Sequence, residues 1–312
     1  MTQDDIPKDD FGHLEVAVHT LRSPTPQGRA ENQDNYLLID RRGQARFLQD
    51  QQEQRRQVEN WTEDHARIAV LDGMGGHTQG REAAERTVQG LLQIPPTDNL
   101  GRLSDELERL HRRLHREMSV DGNEPGCTLT LLELPPVGPA LLFHVGDSRL
   151  YAVDEDGVEP LTIDHVPITR LAVLGLVGAD DWRRHVYEQP GNQISQAFVF
   201  GSSLGGHALY QSLDTDLYEL HDGNLPPFLR GLGDRRTLEL QPGRTYLLAS
   251  DGLWHLQRPQ AFVRRWPQWL SGSDRPLADQ LEDLCEALVR QVRSESGNRG
   301  DNSTAIALRL RS

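Results

Sequence analysis

The sequence predicts an α+β fold with antiparallel sheets. Short apolar segments typical of strands occur in runs toward both ends of the 312 residues, and two amphipathic segments with helical periodicity lie together between them. Runs of strands and paired helices are typical of α+β proteins, whereas parallel sheets arise from regular alternation of strand and helix. The sequence shows no internal repeat, so each element is identified from its own local pattern.

Strands are predicted where short apolar runs lie between turn residues. In chain order they are 14–21, 34–40, 67–73, the four segments CTLTLLEL, PALLFHVG, RLYAVDEDG and EPLTID, the segment RTYLLAS, and 303–310. Residues 41–65 are polar and rich in Gln and Arg, which indicates a surface insertion. The Gly-, Asp- and Pro-rich stretch 201–236 shows no clear element.

Helices are predicted at 80–94, 104–118 and 276–292, because their apolar residues recur every three or four positions. We expect Ser104 to cap the second helix, and Pro276 stands at the start of the third. Residues 165–200 are expected to form a helix and a loop.

Composition excludes several functions. The net charge of −14 argues against a nucleic-acid partner. Lys8 is the only lysine among 33 basic residues, and it lies in a stretch expected to be disordered, which excludes Schiff-base, P-loop and kinase lysine chemistry. The longest apolar run, Leu171–Val177, is far shorter than the roughly 20 residues of a membrane span. We therefore expect a cytoplasmic protein with no membrane contact, in which Cys127 and Cys285 are free core thiols.

Five aspartates stand at strand ends or in turns between strands. Asp72 and Asp251 each follow an apolar strand and precede a glycine, and Asp301 lies just before the last strand. Asp147 lies in a Gly-Asp-Ser turn, and Asp34 opens a strand. In a shared sheet sandwich these carboxylates can converge on one edge, where they cannot all stay ionised without a counter-cation. Oxygen ligands with few imidazoles suit Mg²⁺ or Mn²⁺ better than Zn²⁺.

A site of this kind is suited to hydrolysis at phosphorus. Two ions about 3.5 to 4 Å apart lower the pKa of a bound water and neutralise the charge of a phosphate. An arginine can bind two phosphate oxygens at once, and Arg29, in the loop before Asp34, is the best placed arginine for that role.

Each of these motifs alone is an ordinary turn sequence, but they form an ordered set. They are GRAENQD at 28–34, LDGMGGHTQG at 71–80, GCTLT at 126–130, HVGDSRLY at 144–151, LTIDH at 161–165, ASDGLW at 249–254 and GDNSTAI at 300–306. The set resembles the successive motifs of the metal-dependent protein phosphatase (PPM) family, the type 2C serine/threonine phosphatases. It covers nearly the whole chain, and DGMGGH makes the bacterial branch the closer likeness.

The resemblance implies a fold, an activity and a domain organisation. The fold would be a sandwich of two mainly antiparallel β-sheets flanked by pairs of α-helices (αββα), with a dinuclear metal site at one edge. The activity would be hydrolysis of phosphoserine and phosphothreonine in proteins by metal-activated water, without a covalent intermediate, opposing a bacterial serine/threonine kinase. A single catalytic domain at 13–312, with insertions near 41–65 and 203–236, would follow a disordered tail at 1–12.

The resemblance also implies the ligands of two Mn²⁺ or Mg²⁺ ions. Asp72 would bridge the two ions, and Asp251 and Asp301 would complete the first. The carbonyl of Gly73 and the carboxylate of Asp34 would serve the second, directly or through waters.

Three further roles follow from the same motifs. Asp147 would help Asp251 to hold a third, weaker ion, and Arg29 would bind the phosphate. His77 is the candidate general acid for the leaving group, because histidine titrates near neutral pH; alternatively it only braces the glycine turn.

The other histidines have structural interpretations. His144 lies inside an apolar strand, and His165 is expected to anchor the turn after its strand. His111 and His115 are four residues apart but lack the glutamate of a zinc-protease helix, so we expect them on a solvated helix face.

Three features depart from the family pattern. Gln33 stands where many members have glutamate, which removes a negative charge near the second ion. His255 follows Trp254 where aspartate is common, and 41–65 and 203–236 are longer than usual. We interpret the last two features as concerning substrate choice or a partner.

Two alternatives to a protein phosphatase are open. One is a binding module that keeps the fold with weak or no turnover, although all the aspartates of the first ion are present. The other is a two-metal hydrolase of small phosphate esters, against which the acidic chain and the absence of a Gly-rich phosphate cradle count.

Overall fold

The computed structural model describes residues 9–26, 28–75, 79–119, 124–189, 193–205, 214–272 and 274–311. The strands are β1 (Leu14–Leu21), β2 (Asn35–Ile39), β3 (Gln44–Gln49), β4 (Gln52–Gln57), β5 (Ala66–Leu71), β6 (Gly73–Met74), β7 (Gly126–Cys127), β8 (Leu129–Leu134), β9 (Ala140–Val145), β10 (Arg149–Asp154), β11 (Gly157–Pro160), β12 (Gln196–Ala197), β13 (Gly201–Ser202), β14 (Arg235–Leu238), β15 (Thr245–Ala249) and β16 (Ser303–Leu310). The helices are α1 (Gln79–Leu91), α2 (Leu100–Met118), α3 (Pro167–Val173), α4 (Ala179–Glu188), α5 (Pro259–Val263), α6 (Pro267–Leu270) and α7 (Leu277–Ser294).

Two antiparallel sheets form the centre of the fold. One has seven strands in the order β14-β9-β8-β5-β2-β3-β4, and the other has five in the order β1-β16-β15-β10-β11. Neighbouring strands within each sheet run antiparallel, and helices α1 and α2 follow one another in the chain between runs of strands. Both features agree with the predicted α+β class.

Alternation along β2 shows how the layers form. Leu37 and Ile39 pack with the apolar residues of α1 and α2, while Tyr36 and Leu38 pack between the two sheets. Successive side chains of a strand point to opposite faces, so a strand that is apolar throughout is buried on both sides.

The five-stranded sheet is covered in the same way. Leu247 on β15 packs with Leu284 and Leu288 of α7, whereas the adjacent Leu248 packs into the space between the sheets. The four layers are therefore helix, sheet, sheet and helix, and the expected αββα sandwich is confirmed.

The second helix begins earlier than the sequence predicted. Its N-cap is Asn99, whose side chain accepts a hydrogen bond from the Arg102 N–H, and α2 starts at Leu100. Ser104 is a buried residue inside the helix, so its expected capping role is wrong. Asn is at least as good a cap as Ser, and both precede the same leucine stripe.

The polar segment 41–65 contains a β-hairpin that extends the seven-stranded sheet. β3 and β4 are joined by Asp50 and Gln51, whose φ values of 50° and 62° suit a two-residue hairpin turn. Every residue of β4 is exposed, so the strand has no apolar alternation from which it could be predicted.

Part of the expected N-terminal tail is ordered. Phe11 is buried, and the backbone N–H of Asp10 donates to the Asp40 carboxylate over 2.9 Å. The expectation of a disordered tail is therefore wrong for 9–12, and 1–8 lie outside the described residues.

Residues 201–236 also contain structure that the sequence did not reveal. β14 pairs with β9 at the edge of the seven-stranded sheet. Leu220 and Leu229 form a separate apolar cluster with Trp182 of α4, beside the sandwich.

The two cysteines are buried free thiols, as expected. Among the described helices, none combines the length and the apolar character that a bilayer crossing needs.

Candidate metal centre

Asp34 and Asp72 lie side by side at one edge of the seven-stranded sheet. Asp34 precedes β2 and Asp72 follows β5, and the antiparallel pairing of Asn35 with Leu71 places the two carboxylates next to each other. The Thr128 hydroxyl accepts a hydrogen bond from the Asp72 N–H over 2.9 Å, which fixes the end of the strand.

Asp251 and Asp301 occupy the equivalent edge of the five-stranded sheet. Asp251 follows β15 and Asp301 precedes β16. Ala249 of β15 pairs with Ala305 of β16. The two strand ends are thus adjacent for the same reason as the first pair.

Asp147 comes from the turn in which the chain passes from one sheet to the other. β9 belongs to the seven-stranded sheet and β10 to the five-stranded sheet, and Arg149 pairs with Ala249. Asp147 therefore lies beside the strand end that carries Asp251, and all five predicted carboxylates lie at one edge of the sandwich.

Two hydrogen bonds tie the sheets together at this edge. The Ser250 hydroxyl donates to Asp34 Oδ2 over 2.6 Å, and the backbone N–H of Gln33 donates to Asn302 Oδ1 over 2.9 Å. Ser250 and Asn302 each adjoin a predicted ligand, but nothing in their residue type distinguished them as bridges in the sequence.

The electrostatics show how close the carboxylates are. Burial raises the pKa of Asp72 well above its usual value, and repulsion from the other four carboxylates adds to this effect; they are Asp34, Asp251, Asp147 and Asp301. Burial also raises the pKa of Asp34 to about 7, and burial and repulsion raise the pKa of Asp147. Asp251 differs, because His255 and other partners outweigh burial and hold its pKa below the usual value.

Two carboxylate oxygens of this cluster lack partners among the described residues. Asp34 Oδ1 and Asp147 Oδ1 are buried and accept no hydrogen bond there. A buried unpaired anion is costly, and a cation satisfies both its charge and its lone pairs. The donor set is therefore suited to a hard divalent ion.

The glycine after Asp72 allows a close backbone approach. A Cβ at Gly73 would overlap the carbonyl of Gly80, at the start of α1, and the carbonyl oxygen of Gln33. Gly73, whose carbonyl is a predicted ligand, thus lies in a backbone-lined corner next to Asp72.

Arg29 lies at the exposed side of the centre. Its Nε donates to Asp301 Oδ1 over 3.2 Å, and its side chain is 52% exposed. A guanidinium held by one carboxylate oxygen keeps N–H donors free for an anionic ligand.

His255 is the site residue that the sequence did not place at the centre. His255, Asp251 and Asp301 form a group in which one donor atom of each lies within 4.8 Å of the others. The Asp251 carboxylate raises the pKa of the His255 imidazole. Its position one residue after Trp254, four after a predicted ligand, was the available signal.

The other histidines singled out in the sequence differ in their surroundings. His77 lies outside the described residues, which omit 76–78. His144 is buried, with Nδ1 near the Thr130 hydroxyl, and His165 accepts a hydrogen bond from the Gly146 N–H in the turn before Asp147.

The expectation for the α2 histidines is wrong. His111 is buried, with Nε2 2.6 Å from the Thr215 carbonyl oxygen and Nδ1 accepting from the Val199 N–H. His115 is partly buried, with Nδ1 2.6 Å from the Val199 carbonyl oxygen. Both face the segment that packs over the helix, and that packing is a long-range contact invisible in the local pattern.

Comparison with known proteins agrees with the motifs, although no family model matches the chain. The serine/threonine phosphatase stp of Listeria welshimeri is 28% identical over 128 residues, which are 38% of this chain and 50% of that protein. The chain thus spans about half the length of such relatives. Protein phosphatase PhpP of Streptococcus pneumoniae is 25% identical over 225 residues, 70% of this chain and 77% of that protein.

Solved structures share the fold. PstP, a serine/threonine phosphatase of Mycobacterium tuberculosis, superposes with a TM-score of 0.57 at 20% identity, over 96% of this chain and 99% of that one. Another structure, of the PstP catalytic domain, is described as a complex with two manganese ions and has a TM-score of 0.55, at 20% identity over 96% and 99% of the two chains. In the order of its motifs, in sequence and in fold, the chain is thus similar to bacterial serine/threonine phosphatases of the PPM type.

Proposed function

We propose that the protein is a metal-dependent serine/threonine phosphoprotein phosphatase. The observation that carries this proposal is the convergence of five carboxylates at one edge of the sandwich, two of them with buried oxygens that lack partners among the described residues. Cations can neutralise such a cluster and satisfy its unpaired oxygens, and solved phosphatases share the fold.

The proposed ligands divide between two principal ions, Mn²⁺ or Mg²⁺. Asp72 would contribute to both, Asp251 and Asp301 would complete the first, and Asp34 with the Gly73 carbonyl would serve the second. The two sheet edges thus each contribute one pair of carboxylates. When bound, the ions supply the positive charge that neutralises the phosphate and lowers the pKa of the attacking water.

A third, weaker ion is proposed between Asp147 and Asp251. Asp147 Oδ1 is buried without a hydrogen-bond partner among the described residues, and burial, together with repulsion from Asp251, raises the pKa of Asp147. Both observations support a cation at this position.

The chain's own residues bind and orient the substrate. Arg29 binds the phosphate oxygens, and its hydrogen bond to Asp301 holds the guanidinium over the carboxylate cluster. The expected reaction is direct in-line displacement of the serine or threonine oxygen by water, without a covalent intermediate. The role of His77 as general acid remains a proposal that rests on its motif alone.

The proposed substrates are phosphoserine and phosphothreonine in proteins, with a bacterial serine/threonine kinase as the opposing enzyme. The name of the Listeria relative, a serine/threonine phosphatase, supports these residues, and that of PhpP, a protein phosphatase, supports a protein substrate. An opposing kinase requires ATP, which supports a cytoplasmic location. Because the proposed site takes residues from Arg29 to Asp301, we also propose that 13–312 act as one catalytic domain in which the longer stretches 41–65 and 203–236 are accessory.

The test is hydrolysis of p-nitrophenyl phosphate and of a phosphothreonine peptide with Mn²⁺, Mg²⁺ or EDTA. We expect metal-dependent turnover that is lost in Asp251→Ala and kept in Asp180→Ala, which alters an exposed carboxylate on α4. Mn²⁺ binding without turnover in the wild type would favour the inactive binding module. Turnover of the small ester without the peptide would favour the small-ester hydrolase.

A further inference from the structure

The backbone of His255 is held firmly beside the carboxylate cluster. The preceding Trp254 is buried, and its ring stacks on the Arg149 guanidinium, 4.4 Å from the centroid. The carbonyl oxygen of His255 accepts a hydrogen bond from Asn298 Nδ2 over 3.1 Å. Anchors on both sides of the Cα atom limit the directions that the imidazole can take.

The imidazole nitrogen nearest the cluster has no hydrogen-bond partner among the described residues. His255 Nδ1 is buried and lies 3.9 Å from Asp251 Oδ2, which is too long for a hydrogen bond. The rest of the side chain is partly exposed, so the buried nitrogen is directed inward by the fold.

The same distance is suited to two ligands of one ion. Metal–ligand bonds of about 2.1 Å allow two donors on a single ion to be at most about 4.2 Å apart. The nitrogen and the Asp251 oxygen lie within this limit, and a carboxylate oxygen of Asp301 completes a group of three donors.

We propose that His255 Nδ1 is a ligand of the ion held by Asp251 and Asp301, and that this nitrogen makes the site favour Mn²⁺ over Mg²⁺. The inference rests on the proposed function, because it assumes that the carboxylates bind metal. Mg²⁺ favours oxygen ligands, whereas imidazole suits transition metals and binds more tightly along the series from Mn²⁺. Replacement of the common aspartate by histidine therefore changes the chemistry of the site, rather than only its surface.

The direct test is pulsed electron paramagnetic resonance of Mn²⁺ bound to the full chain. We expect modulation from a directly bonded imidazole ¹⁴N in the wild type, which changes to the ¹⁵N pattern when histidine is labelled with ¹⁵N. The modulation should be absent from His255→Ala and from His255→Asp, which keeps a ligand at the position.

His13→Ala is the matched control. His13 is exposed and adjoins the Leu310 end of β16, whereas Asp301 precedes the opposite end of this eight-residue strand. At about 3.3 Å per residue the two ends are roughly 25 Å apart. This variant should keep the nitrogen modulation of the wild type.

Calorimetric titration with Mn²⁺ and with Mg²⁺ measures the preference itself. Loss of the ligand should weaken Mn²⁺ binding by about tenfold or more in His255→Ala, since even indirect partners of metal ligands contribute that much. In His255→Asp, the ratio of Mn²⁺ to Mg²⁺ affinity should fall by a similar factor.

The outcomes separate this inference from the proposed function. Bound Mn²⁺ without nitrogen modulation, or modulation unchanged in His255→Ala, would overturn the histidine ligand and leave the phosphatase proposal intact. Failure of Mn²⁺ to bind the wild type would overturn both. His255→Asp guards against a folding defect, because its aspartate is common at this position in the family.

Discussion

The Ser250 hydroxyl and Asp34 Oδ2, 216 positions apart in the chain, are joined by a 2.6 Å hydrogen bond that links the two sheets. Ser250→Ala should lower the free energy of unfolding by about 1–3 kcal/mol, because it leaves a buried carboxylate with one partner fewer. Urea titration in EDTA measures this change. Ser294→Ala, which removes an exposed hydroxyl on α7, should have little effect. Equal stability of the wild type and Ser250→Ala would contradict the proposed link.

Removal of one carboxylate should stabilise the metal-free protein. The raised pKa of Asp72 means that the folded state binds a proton that the unfolded chain releases, so the carboxyl destabilises the fold as pH rises above its usual pKa. Asp72→Asn should therefore melt at a higher temperature than the wild type in EDTA at pH 7, by about 2–4 °C for each kcal/mol.

Bound metal should make the wild type melt at a higher temperature than Asp72→Asn, the reverse of the order in EDTA. The wild type should gain about 2.7 kcal/mol at a Mn²⁺ concentration 100 times the Kd, whereas Asp72→Asn should gain little. Melting curves with and without Mn²⁺ provide the measurement, with Asp180→Asn as an exposed control. A mutant stabilised by Mn²⁺ as strongly as the wild type would show that Asp72 is not a ligand.

Arg29→Ala should weaken catalysis without weakening the fold. The side chain is half exposed, and hydrogen bonds to charged groups contribute about 1.5–3 kcal/mol, which corresponds to a fall in kcat/KM of about 10- to 150-fold. Steady-state kinetics on the phosphothreonine peptide test this expectation, with Arg22→Ala as the neighbouring exposed control. An unchanged kcat/KM would exclude Arg29 from phosphate binding.

His111 should make stability depend on pH below neutrality. Burial lowers its pKa to about 4, and its two nitrogens already donate to Thr215 and accept from Val199, so a second proton breaks the latter bond. The unfolded histidine binds a proton near pH 6.5, so the stability that neutral His111 provides is present above that pH. It should be lost as pH falls toward 4, by about 3 kcal/mol.

Urea titrations in EDTA across this range compare the wild type with His111→Gln. The mutant should lack the contribution of His111 to the slope, whereas His221→Gln, at an exposed histidine, should keep it. Parallel pH profiles for the wild type and His111→Gln would contradict the expectation.

The strands and strand-end aspartates that a local pattern specifies could be predicted from the sequence. β2 and β5 are apolar throughout because both faces are covered, and the aspartates at their ends carry recognisable turn motifs. The α+β class with antiparallel sheets followed from these signals. The family resemblance implied the sandwich, in which Asp34 and Asp72 were expected to converge.

Features that depend on contacts between distant segments could not be predicted. β4 is a strand only because it pairs with β3, since its own residues are all exposed. His111 is buried only because a segment about 100 residues later covers α2. His255 lies at the site only because the pairing of β15 with β16 places Asp301 beside it.

The two Asp-Gly motifs have a consequence for when the site forms. A Cβ at Gly252 would overlap the backbone of Asn302, just as one at Gly73 would overlap the backbone of Gly80 and Gln33. Neither glycine has a positive φ, so close docking of neighbouring loops, rather than the turn itself, excludes a side chain. The carboxylates reach their positions only when these loops are fully docked, so metal affinity should report on completion of the fold, and a partly opened chain should bind ions no better than scattered aspartates do.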